Sequence, residues 1–219
     1  MTLQTQPAQP VHGLSTLSAV SLSPEREEFM RRVGPTSQGS PAWRARKPVE
    51  ARELLALETI APRIEIIALD LTTELLAIVR MAVTVPCLAR DGELVVVGQA
   101  DLALCYPEEI LHGPLPGYAL VQIHRPRRVW HPNVSDDVAQ RICLGANVPK
   151  GYPLREAVLG SYAALTLQSI SLDQADPAGI MNPAALSYWN DHKARIPLST
   201  AAFLDPPASA DARRAGGAP

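Results

Sequence analysis

Read from its apolar positions, the chain changes period twice. Val49, Leu54, Leu55, Leu57 and Ile60 follow helical spacing and predict a helix over Pro48–Ile60, which Pro62 ends. Apolar, β-branched runs follow at Ile64–Leu71, Leu75–Val85, Leu94–Val97, Asp101–Tyr106 and Tyr118–Ile123, and read as strands. Asp91-Gly92 marks a hairpin turn among them. The segment Pro107–Gly117, with Pro114 and Pro116, reads as an exposed excursion. Helical spacing returns after Pro153, with Leu154, Val158, Leu159, Tyr162, Leu165 and Ile170 on one face. Gly160 in that run weakens the helix or permits a close contact. Asn182-Pro183 supplies a cap and a first-turn proline for a last helix, Ala184 to about Arg195, anchored by Trp189. The order is that of an α+β domain: a helix, an antiparallel meander, an irregular loop, and two helices.

Both ends differ in composition. Residues 1–42 are rich in Pro, Ser, Gln and Thr and read as a flexible arm, with one short helix where Ser23 can cap Pro24–Arg32. Residues 43–196 form the expected domain, and 197–219, rich in Ala, Pro, Ser and Asp, the expected disordered tail. A net charge of −2 over 219 residues gives no basic stripe, which argues against a nucleic-acid partner. Arg125, Arg127 and Arg128 make only a short cluster, read as a patch facing a protein partner. Charged residues interrupt the most apolar region below spanning length, no signal segment is visible, and the cysteines are an odd set, Cys87, Cys105 and Cys143. The expectation is a soluble protein of a reducing cytoplasm.

The candidate chemistry lies between the meander and the last two helices. His131-Pro132-Asn133 should be a rigid turn, because Pro132 fixes its own φ and keeps His131 out of the helical region. Shortly after it comes Cys143, between Ile142 and Leu144. A thiol with a rigid side-chain amide nearby suits acyl transfer, as a nucleophile and a dipole for an oxyanion. A buried structural thiol is the plain alternative for Cys143, and core packing is the expectation for Cys87 and Cys105. A cysteine protease would need His131 or His192 as base, and nothing in the sequence places either beside Cys143; zinc would need His112, His124 or His131 with the cysteines, which lack paired ligand spacing.

His131-Pro132-Asn133, Ile142-Cys143-Leu144, Asp176-Pro177, and Asn182-Pro183-Ala184-Ala185 followed by Tyr188 occur in an order that resembles the ubiquitin-conjugating enzymes, in a divergent bacterial form. The resemblance extends over roughly residues 48–192 and is specific from Tyr106 onward. It implies the fold of that family, with an active-site cysteine loop after the meander. It also implies an enzyme, with Cys143 taking a ubiquitin-like protein as a thioester from an activating enzyme and passing it to a lysine amine on a target protein. Asn133 would stabilise the oxyanion or brace the cysteine loop. Asp176 would orient the acceptor lysine, with Asp173 as its substitute, and His131 and Pro132 would hold the turn. No metal or nucleotide cofactor is implied for this chain, and no membrane. The first helix would dock the activating enzyme, and relatives of this kind suggest a small operon of antiphage defence. The chain departs from the family pattern in the longer Ser135–Gln140 segment, in a longer stretch before His131, and in Tyr152 where a tryptophan is usual. The last two of these changes fall where the family docks ligases. The alternative is a scaffold of the same fold that binds the modifier or its activating enzyme without carrying it.

Overall fold

The computed structural model describes residues 21–34, 37–168, 180–195 and 199–205. Helix α1 (Pro24–Val33) is capped by the Ser23 hydroxyl, which accepts from the Arg26 amide, as the sequence suggests. It lies against helix α2 (Pro41–Ile60), with Met30 buried and Arg26 and Arg52 paired to Glu58 and Glu27. Part of the expected flexible arm is therefore an ordered element of the domain. Helix α2 also starts earlier than the Pro48 expected. Ser40 caps it by accepting from the Trp43 amide, Pro41 takes the first turn, and Pro48 sits within the helix. The reason is packing: the added turns bury Trp43 and Lys47.

Four strands make one antiparallel sheet in the order β1 (Ile64–Asp70), β2 (Leu75–Met81), β5 (Ala100–Tyr106), β7 (Val121–Arg125). Ile64, Ile66, Ala77, Val79, Leu102, Leu104, Val121 and Ile123 point to the buried side, in one core with Leu54, Leu55 and Leu57 of α2. The Leu75–Val85 run divides: after Met81 the chain leaves the sheet and forms a separate hairpin of β3 (Val85–Leu88) and β4 (Leu94–Val97). Gly92, at φ 87°, turns it, where the Asp-Gly pair indicated.

The Pro107–Gly117 segment is not the exposed excursion expected. Its 3-10 turn, Glu108–Leu111, buries Ile110, and β6 (Leu115–Pro116) pairs with β8 (Asn147–Val148) beyond Cys143. Two helices complete the fold, α3 (Leu154–Leu165) and α4 (Pro183–Asp191). Pro153 offers no capping side chain to α3, and buried Glu50 of α2 supplies the acceptor for the Leu154 amide at 2.7 Å. Residues 199–205, assigned to the tail, dock on α3: Tyr162 donates to the Ala201 carbonyl at 2.8 Å and meets the Phe203 ring edge-on. The observed class is mixed α+β with antiparallel sheets, and no described helix is long and apolar enough to cross a membrane.

Candidate functional site

Three elements fix the His131-Pro132-Asn133 turn. Inside it, the Asn133 amide donates to His131 Nδ1 at 3.1 Å and Val134 N donates to the His131 carbonyl. From α4, the Met181 and Asn182 amides donate to the Pro132 carbonyl at 2.8 and 3.1 Å, and Trp189 Nε1 to the Trp130 carbonyl at 3.1 Å. From α3, the Ala164 carbonyl accepts from Asn133 Nδ2 at 3.1 Å. The α4 cap is the expected Asn182, whose Oδ1 accepts from the Ala185 amide at 2.9 Å. Among the described residues its enclosed Nδ2 has no partner.

Burial pushes the His131 imidazole down to about 4, and the Leu165 carbonyl opposes this by less, without completing a hydrogen bond to Nε2. The ring is neutral near pH 7, with Nδ1 committed as acceptor and the proton on Nε2. It is a structural member of the turn. A general base there would need a nitrogen lone pair to spare, and Nδ1 already accepts while Nε2 carries the proton, which weighs against the first protease candidate.

The segment carrying Cys143 is held from both sides. Ile142 N donates to the Val121 carbonyl and Leu144 N to that of Gly117, while the intervening Cys143 N donates to the Asn133 carbonyl at 2.9 Å. The cysteine thus alternates with its neighbours as in a short strand, joining β7 on one side and the turn on the other. Its thiol is largely buried and donates to the Gly145 carbonyl at 3.6 Å. That carbonyl is fixed by a close crossing: a Cβ added at Gly117 would lie 1.8 Å from the Gly145 oxygen. Gly160 of α3 is a second close approach, with Leu144 beside it, so its value is contact rather than helix weakening.

The longer Ser135–Gln140 segment folds on itself. Asp137 Oδ1 accepts from Ser135 Oγ and from the Ala139 and Gln140 amides, and the Ser135 hydroxyl bond, ahead of the others, holds its carboxyl below the usual range. Gln140 is the residue that sequence reasoning missed. Its Oε1 accepts from Val129 N, and its Nε2 donates to the Ile123 and Pro126 carbonyls, so one amide closes the loop onto β7. Its only signal in the sequence is a long side-chain amide at the end of the Ser135–Gln140 segment. Val138 stands 91% exposed at the tip, and a cavity of about 680 Å³ lies between this loop, Leu88, Trp130 and Asn182. The arginine cluster contributes loop contacts: Arg127 donates to the Val138 carbonyl and Arg128 to that of Ala89.

Asp176 and Asp173 lie outside the described residues. Cys87 is a core residue, its thiol pushed up to about 11 by burial. Cys105 differs from expectation. It lies on the outer face of the sheet, partly exposed, donating to Glu74 Oε2 at 3.0 Å, and burial followed by that carboxylate pushes it up to about 12. Among the described residues no group of three or more His, Cys, Asp or Glu side chains could hold a metal ion. No family model, curated protein or solved structure matches this chain.

Proposed function

We propose that the chain is a thioester carrier of the ubiquitin-conjugating type, with Cys143 as the acceptor. The observation that carries this reading is the bond from Cys143 N to the Asn133 carbonyl, because it ties the one cysteine in the loop to a turn that α3 and α4 also hold. The Cys143 thiolate attacks the thioester carbonyl of a ubiquitin-like protein on its activating enzyme. A new thioester forms and the enzyme's thiol leaves. A lysine amine of the target then attacks the same carbonyl. The amide forms, the amine proton is lost, and Cys143 departs as a good leaving group. Asn133 acts by bracing the loop: its amide is already committed to Ala164 and its carbonyl to Cys143. The fold is then that of the ubiquitin-conjugating enzymes, with β3 and β4 as an added hairpin. A cytoplasmic role in bacterial antiphage defence belongs to the same reading.

One observation favours the scaffold alternative: the thiol is largely buried and bonded to Gly145, so charging requires the loop to release it. The test is a charging assay with a neighbouring activating enzyme, a ubiquitin-like protein and ATP, on a non-reducing gel. The expected result is a modifier-sized shift that thiol reductant removes, that Cys143→Ala abolishes, and that Cys143→Lys converts to a reductant-resistant adduct. No shift with an active activating enzyme overturns the carrier reading, and binding without charging leaves the scaffold.

A further inference from the structure

The sheet edges of this fold are treated unequally. On β1, Glu58 Oε1 accepts from the Ile66 amide at 2.6 Å and Arg26 donates to the Ile66 carbonyl at 3.2 Å, so side chains of α2 and α1 fill both outward groups of Ile66. A register shift between Ile66 and Ala68 bends the same edge. The edge of β7 is covered by Gln140–Leu144. Among the described residues the edge of β4 has neither device.

Its hydrogen-bonding state follows from the register. In an antiparallel pair, residues alternate between bonded and non-bonded positions. Ala89 N donates to the Glu93 carbonyl, which makes that pair bonded, and the alternation makes Cys87↔Val95 and Val85↔Val97 bonded too. The far side of β3 agrees: Leu88 N donates to the Arg128 carbonyl and Trp130 N to that of Pro86, so residues 86 and 88 face away from β4. Leu94 and Val96 are therefore the non-bonded partners, and the N–H and C=O of both point outward from the hairpin. The strand between Glu93 and Gly98 carries no charge, and Val95 and Val96 are 42% and 48% exposed.

We propose that this edge is a strand-pairing interface and that its occupant is a second copy of the same chain. The argument is self-complementarity. Antiparallel pairing about a two-fold axis at Val95 sets Leu94 against Val96 of the copy, and Val96 against its Leu94. That register bonds every outward group of both strands in reciprocal pairs. Val95 meets its own copy at the close, non-bonded position, Glu93 falls opposite Val97, and Gly92 opposite Gly98. No like charges oppose each other. The result is one continuous layer running from Arg128–Trp130 through β3 and β4 to the same elements of the copy. Five strand spacings, roughly 24 Å, then separate the two Arg128–Trp130 segments that lead into the His131-Pro132-Asn133 turns. The pairing is independent of Cys143 chemistry.

The test is the mass of the full chain by sedimentation equilibrium over a range of micromolar concentrations. The wild type should pass from 23.6 kDa to twice that value. Val96→Pro removes an outward N–H and no bond to β3, because Val96 donates nothing to β3, and should stay at one chain mass with the melting curve of dilute, unpaired wild type. Should that variant fold poorly, directed cross-linking decides. Val95→Cys should give an oxidised dimer well above the wild-type background, and Glu93→Cys, which faces Val97 of the copy, should not. A wild type that stays monomeric, a Val96→Pro variant that dimerises equally, or equal cross-linking at 93 and 95 would overturn the proposal.

Discussion

His131 is conformational, and its protonation couples the turn to pH. The unfolded imidazole titrates near its ordinary value, about 6.5, while burial holds the folded one down to about 4. Between those values the unfolded chain binds the extra proton, so stability rises with pH. The contribution is fully present above about pH 6.5 and is lost as the pH falls toward 4, amounting to about 3 kcal/mol for this one group. Denaturant unfolding of the wild type and of His131→Gln from pH 7.5 to 4.5 should show a steeper loss in the wild type. Parallel curves would mean that the ring is not held neutral. The motif was legible in the sequence because proline and asparagine restrict the backbone locally. The direction of the Asn133 amide was not, since it depends on where the last turn of α3 ends, a tertiary matter.

At the level of elements, the sequence showed types better than boundaries. The strands, the hairpin at Asp91-Gly92 and the caps of α1 and α4 were visible as periodicity and local capping chemistry. The start of α2 was hidden because Pro48 resembles a helix beginning, and only burial of Trp43 and Lys47 shows otherwise. Lys47 reads as solvent-facing, yet its ammonium lies enclosed among the carbonyls of Gln38, Leu71, Thr72 and Thr73, at 2.7 to 3.1 Å, tying α2 to the β1–β2 turn. Gly117 was equally silent, since its partner Gly145 lies across the loop crossing. A methyl group there must displace the Gly145 carbonyl that accepts the Cys143 thiol. Gly117→Ala should cost roughly 1–3 kcal/mol as an overpacking change. It should also change the alkylation rate of Cys143, read by mass spectrometry of the labelled peptide. Wild-type stability and labelling together would show that the crossing is loose.

For the whole molecule, the sheet edges decide how copies can assemble. One open edge closes a symmetric pair and then stops, because each chain has used its outward groups. A second open edge removes that limit, since a chain that can pair on both sides links pair to pair without end. Glu58 is what separates the two cases. It fills the Ile66 amide on β1 and holds Arg26, which in turn fills the Ile66 carbonyl. Glu58→Ala leaves that amide without its acceptor and frees the arginine, at a cost of about 1–3 kcal/mol for the unsatisfied group. The β1 edge then offers apolar Ile67, already half-exposed, to a neighbouring chain. The expected outcome is growth past two chain masses by light scattering, at concentrations where the wild type stops at a pair. Combining Glu58→Ala with Val96→Pro should return growth to a single pairing, now through β1. If Glu58→Ala alone halts where the wild type does, the bulge between Ile66 and Ala68 suffices to protect β1, and the glutamate serves only to anchor α1.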